Sequence, residues 1–112
     1  MRNLKRVVQE GGLDDIRRAL RARDEAERSF RRDLLFAHDA GSSYRAIGET
    51  IDMSYETVRR IVDQQAKLRA ADRAYLERPI NPLLSVGNRK REVAKRAAIR
   101  KKWQLPPPEP GS

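Results

Sequence analysis

Residues 43–62 read SYRAIGETIDMSYETVRRIV, and this stretch decides the fold. Ile47 and Ile51 stand four apart, so on a helix they share one face. Val58, Ile61 and Val62 recur at helical spacing further along and predict a second apolar face. Between the two faces Asp52-Met53 leaves room only for a tight connection. Ser54, with Thr57 three residues on, has the form of a helix N-cap, and Ser42-Ser43 can cap the helix before it. Two short helices joined by so short a turn pack at a steep angle, with Met53 plugging the turn. Gly48 falls where they approach most closely, a place for a small residue.

Working outward, Leu13 to Ala40 holds neither Gly nor Pro and is rich in Ala, Leu, Arg and Glu, a helical composition. Leu13, Ile16 and Leu20 begin an apolar stripe, and Ala26, Phe30, Leu34 and Ala37 resume it. Arg23-Asp24-Glu25 interrupts the stripe, so one long helix and two with a break are both open. Gly41 is a helix stop. Leu34, Leu35 and Phe36 cannot share one side: with Leu34 inward, Phe36 points about 200° away at 100° per residue. Phe36 must then meet the N-terminal segment, the connector Ile80–Val86 or a partner. Gly11-Gly12 sets apart a short basic piece with Leu4, Val7 and Val8. After residue 54 a helix runs from Tyr55 towards Glu77, and Pro79 and Pro82 end it. Strand-like alternation is absent, so the expected fold class is all-α.

The chain has 112 residues and 25 Lys plus Arg against 16 Asp plus Glu, a formal charge of +9. The excess is concentrated. Between Asn88 and Trp103, Arg89, Lys90, Arg91, Lys95, Arg96, Arg100, Lys101 and Lys102 face a single acid, Glu92. A cationic segment of this kind suits a polyanion, most often nucleic acid. Residues 106–110 are Pro-rich and polyproline-like. The absence of cysteine excludes a disulfide framework and thiolate chemistry, and His38 alone cannot build an imidazole metal site. No apolar run reaches the roughly 20 residues of a membrane span. Carboxylates interleave with arginines at helical spacing, as in Asp14–Arg18 and Glu27–Arg31, which predicts surface ion pairs. With no phosphate-binding glycine loop, paired carboxylates or serine–histidine arrangement, the chain is not expected to be an enzyme. No cofactor and no metal are expected.

The stretch Ile47-Gly48-Glu49-Thr50-Ile51-Asp52-Met53-Ser54, followed by Tyr55-Glu56-Thr57-Val58-Arg59-Arg60, resembles the helix-turn-helix family of DNA-binding domains. It looks most like the three-helix versions in sigma-factor region 4, resolvase C-terminal domains and small bacterial regulators. The resemblance covers about a third of the chain, from Asp33 to Gln65. It departs from the family pattern at Gly48, where Ala is commoner, and at Asp52, which replaces the turn Gly. Asp tolerates the left-handed conformation better than most residues. The resemblance implies a three-helix helix-turn-helix core, placed over residues 25–78; Gly and Pro punctuation and the charge run set off an N-terminal helical extension (1–24), a connector (79–87) and a basic, Pro-rich C-terminal tail (88–112).

In that family the second helix enters the major groove, which places Tyr55, Glu56, Arg59 and Arg60 at base edges. Arg59 suits a bidentate contact to guanine and Glu56 can accept from a cytosine amine. Ser43, Arg45, Ser54 and Thr57 suit phosphate contacts. The tail residues Arg89, Lys90, Arg91, Lys95 and Arg96 either neutralise further phosphates or serve as a solubilising end. Trp103 can stack on a base, cap an apolar surface, or do neither. The function implied is a cytoplasmic, nucleoid-associated, sequence-specific double-stranded DNA-binding regulator, a repressor by family habit. A homodimer meeting through Phe36 and Leu35, and an RNA polymerase contact, are the protein partners considered. A protein–protein adaptor using the N-terminal helix and the Phe36 surface is the rival reading, and RNA binding through the arginine-rich tail a second.

Overall fold

A computed structural model describes residues 12–108. Among them are four helices and no strand: α1 (Gly12–Asp39), α2 (Tyr44–Ile51), α3 (Tyr55–Glu77) and α4 (Val86–Lys102). The fold is all-α. No helix among the described residues is long and apolar enough to cross a membrane. Leu4, Val7, Val8, Gly11 and Gly111-Ser112 lie outside the described residues. The chain divides into two compact units, one up to Val62 and one from Asp63 onward.

In the first unit α1 is one unbroken helix, so Arg23-Asp24-Glu25 interrupts the apolar stripe and not the backbone. All three residues are compatible with helix, and neighbouring acid–base pairs support it. Arg17 reaches Asp14 at 3.1 Å, Arg18 reaches Asp15 at 2.7 Å and Arg31 reaches Glu27 at 3.2 Å. Asp14 and Asp15 also sit in the first turn, where the helix dipole favours negative charge. The helix ends as its chemistry requires. Gly41 adopts φ +108, a backbone that L side chains rarely take, while Ser42 N–H closes on the Ala37 carbonyl at 3.1 Å.

The buried apolar residues of this unit are Leu34 and Leu35 of α1, Ile47 of α2, and Val58 and Val62 of α3. Leu35 is 1% and Val58 0% exposed. α1 and α2 pack against one another, and Phe36, beside this core, is half-buried. Sequence periodicity placed Leu34 inward. The structure buries Leu34 and Leu35 together.

The α2–α3 connection turns on two residues. Asp52 takes φ 58, ψ 49, the left-handed conformation, and its N–H caps α2 on the Gly48 carbonyl. Met53 N–H bonds the same carbonyl at 2.9 Å. Met53 does not plug the turn: its side chain is 37% exposed. What fills the turn is its backbone. A Cβ built on Gly48 would stand 2.4 Å from the Met53 carbonyl oxygen, closer than real Cβ contacts allow. This is a demand for glycine, stronger than the small residue expected from sequence. Gly48→Ala is therefore expected to destabilise the first unit by about 1–3 kcal/mol through overpacking. Alanine's intrinsic helix preference of about 1 kcal/mol works in the other direction. Urea denaturation followed by circular dichroism reads the difference, and a more stable alanine variant would contradict the packing account.

The second unit contains the rest of α3, a turn and α4. Pro79 ends α3's run, Asn81 Oδ1 accepts from Leu83 N–H at 3.0 Å, and the Ser85 side chain caps α4 by accepting from Asn88 N–H. The basic segment is thus a capped helix that starts at Val86. Its end is pinned by Trp103, which is 4% exposed and donates its indole N–H to Asp72 at 2.6 Å.

Candidate nucleic-acid interface

In the first unit, Ser43 Oγ accepts from Ala46 N–H at 3.0 Å and Ser54 Oγ accepts from Thr57 N–H at 3.2 Å. Both serines therefore cap helices, and an accepting hydroxyl retains its own proton to donate. Ser54 Oγ also meets Thr57 Oγ1 at 2.8 Å, where one hydroxyl donates to the other. Thr57 is half-buried, whereas the capping Ser54 and the first two α3 residues, Tyr55 and Glu56, are exposed.

Arg59 and Arg60 are also exposed, and no described acid pairs with either. Val58 and Val62 mark the buried face of α3; at 100° per residue Glu56 and Arg60 lie across the helix from it, and Tyr55 and Arg59 flank it. The Arg45 guanidinium lies over the Tyr55 ring at 5.3 Å, a cation–π contact joining the start of α2 to the start of α3. Tyr55, Glu56, Arg59, Arg60 and Arg45 are thus outward residues of one unit.

One feature of this corner is not evident from spacing. The His38 and Tyr44 rings stack at 4.3 Å with planes 14° apart. His38 Nδ1 lies 3.1 Å from the Ser42 carbonyl. A carbonyl only accepts, so the Nδ1 proton is donated there. The imidazole thereby ties the end of α1 to the start of α2. The signal available in sequence was only an aromatic pair flanking a Gly-Ser turn.

The second unit sorts the basic residues into two groups. Arg89, Lys90, Arg91 and Lys95 are exposed on α4, and Lys95 Nζ sits over the Tyr75 ring at 4.7 Å. Arg96 does not belong with them. It is 8% exposed, its Nε donates to Glu92 at 3.0 Å, and its Nη1 donates to the Leu76 and Arg78 carbonyls at 3.3 and 2.6 Å. Those carbonyls lie at the C-terminal end of α3, where unpaired backbone acceptors need donors. Arg96 is a structural cap and cannot grip phosphate.

Lys102 is likewise engaged, at 2.9 Å from Asp72. Burial pushes the Asp72 carboxyl up, but the Trp103 indole and the Lys102 ammonium outweigh it and hold the group below the usual aspartate range. Glu92 is held below its ordinary value by the Tyr75 hydroxyl and then by Arg96. Trp103 is therefore an anchor, buried and unable to stack on a base. Leu35 requires the corresponding correction: at 1% exposure it is core and offers no surface to a partner.

Among the described residues no group of His, Cys, Asp and Glu could hold a metal ion. The second unit also carries an open groove of about 650 Å³, lined by Pro82, Leu84, Val86, Arg89, Val93 and Ala97. Comparison of the chain with protein-family models, curated proteins and solved structures returns no match.

Proposed function

We propose that this chain is a sequence-specific double-stranded DNA-binding transcriptional regulator of the helix-turn-helix kind, reading the major groove with the N-terminal part of α3. The observation that carries the reading is the α2–α3 connection. A left-handed Asp52 and a glycine seated on the Met53 carbonyl join α2 to α3, while Tyr55, Glu56, Arg59 and Arg60 stay exposed around the buried Val58 and Val62.

In this arrangement Arg59 makes a bidentate contact to guanine, and Glu56 accepts from a cytosine amine. Arg45, Ser43, Ser54 and Thr57 hold phosphates and fix the register. Arg89, Lys90, Arg91 and Lys95 add attraction that carries no base information and makes affinity salt-dependent. Occupancy of an operator would then exclude RNA polymerase, and the protein would be found on the nucleoid.

A protein-binding adaptor is the second reading, favoured by the apolar groove beside α4. Failure to bind any duplex at modest salt, with retention of polymerase, would select it.

Fluorescence anisotropy with a preferred duplex tests the assignment of roles. Arg59→Ala is expected to lose about 1–3 kcal/mol against the preferred site and little against random duplex. Lys90→Ala should weaken both alike and flatten the salt dependence. An Arg59→Ala variant with unchanged affinity and unchanged preference would remove Arg59 from the base-reading set.

A further inference from the structure

The first half of α1 has a property that the proposed function does not use: every residue from Leu13 to Arg28 is exposed. Leu13, Ile16 and Leu20 are each about half exposed. Their spacing makes one stripe. Ile16 and Leu34 are five helical turns apart at about 3.6 residues per turn, so the stripe is in phase with the face that α1 buries further on. A helical segment with all sides solvated is marginal in water unless its apolar face is covered.

The charges on this segment come in alternating blocks. Asp14 and Asp15 are acidic; Arg17, Arg18, Arg21 and Arg23 are basic; Asp24, Glu25 and Glu27 are acidic; Arg28, Arg31 and Arg32 are basic. Read backwards against itself, the pattern places every acidic block on a basic one. Read forwards against itself, it places like on like, with Arg23 on Arg23 and Glu27 on Glu27 in the seam. The ion pairs within one helix leave this complementarity in place. Arg17–Asp14, for example, has side chains 66% and 76% exposed, and such a pair is worth little.

We propose that the Leu13–Ile16–Leu20 stripe is an interface for a second copy of this chain, with the two α1 helices antiparallel and the twofold axis between Arg21 and Ala22. In this register Leu13 lies beside Phe30 of the second copy. Ile16 and Leu20 cover the aliphatic stems of Glu27 and Arg23. Arg17 faces Asp24. Ala19 faces Ala26, and both are small enough for the backbones to approach closely. The overlap is roughly 27 Å long at about 1.5 Å rise per residue. A helix pair of that length buries less than the ~1,200 Å² of a standard stable interface, so the dimer is a weak, micromolar one. This interface is independent of the DNA reading and distinct from the Phe36 surface.

The chain contains no cysteine, so single-cysteine variants give an unambiguous test without DNA. Ala19→Cys protein is mixed with mass-tagged Ala26→Cys protein and treated with a short bismaleimide. The proposal expects the mixed 19–26 product to dominate. Dominant 19–19 and 26–26 products would show a parallel pair and overturn it. No product, together with monomeric sedimentation, would show that the stripe is bare or covered by another segment or protein, and would overturn it equally.

Two further variants separate this interface from any other. Arg17→Asp is expected to weaken association about tenfold, with Asp24→Arg in the same chain restoring it. Ile16→Glu with Leu20→Glu should give a monomer of unchanged helix content, since both side chains are already half exposed. A dimer that survives the double glutamate variant places the interface elsewhere.

Discussion

Trp103→Ala is expected to destabilise the second unit by about 3–5 kcal/mol, the usual range for truncating a buried tryptophan. Trp103 is 4% exposed, and its indole N–H is bound to Asp72 at 2.6 Å. Truncation removes the largest apolar side chain in the unit and one of the donors to a partly buried carboxylate. Trp103→Phe keeps most of the burial and loses the hydrogen bond, and should cost about 1–3 kcal/mol.

The two effects separate with pH. Asp72 is held below its ordinary value, so its contribution is fully present above the unfolded pKa of about 3.9 and is lost as pH falls through the lower folded value. The Phe variant should therefore lose most of its extra instability in acid, whereas the Ala variant should not. Hydrogen exchange of the α4 amides, read across pH, measures both. Protection of α4 unchanged by Trp103→Ala would contradict the anchoring role.

Leu35→Ala is expected to cost the first unit about 2–5 kcal/mol, by lost burial and by the cavity left behind. At 1% exposure the side chain has no free surface. Since small domains hold only about 5–15 kcal/mol in total, this is a large share of the unit's stability. Any loss of DNA affinity should follow the unfolded fraction and vanish when the first unit is fully folded. Phe36→Ala, at a half-buried position, should cost less. Urea midpoints of the two variants give the comparison. If Leu35→Ala changed the state of association while leaving the midpoint alone, Leu35 would be an interface residue after all.

The helical layout was legible because its punctuation is local. Gly41, Ser43, Ser54 and Pro79 act on their own neighbours, and the structure places helix ends beside them. The left-handed turn was legible for the same reason: Asp52 is one of the few residue types that accepts φ 58.

The misplacements share a different cause. A charge count groups Arg96 with the phosphate-gripping cations because it does not say which cation faces inward. The spacing of Glu92, Arg96, Ile99 and Trp103 repeats at helical intervals and marks one face, so the inward direction was available in periodicity. A single ideal stripe admits one of two adjacent leucines and turns Leu35 outward, whereas this part of α1 buries both. The packing role that the pattern suggests for the Met53 side chain belongs to its backbone carbonyl, about which side-chain patterns carry no information. The His38–Tyr44 stack depends on how the Gly41 turn folds back, which spacing alone does not fix.

Placing the charge also narrows what the basic segment can do. Of the α4 cations, Arg96 and Lys102 are committed to the fold and Arg100 is half-buried, which leaves Arg89, Lys90, Arg91, Lys95 and Lys101 as the exposed contributors to a polyanion interface. Base reading, on the proposed function, belongs to the other unit.

Unbiased selection of bound duplexes from a random pool, carried out with the full-length protein and repeated with Arg59→Ala, tests the central proposal most directly. The account predicts an enriched motif with a fixed guanine, and loss of information at that one position in the variant. A selected pool indistinguishable from the starting one would contradict it.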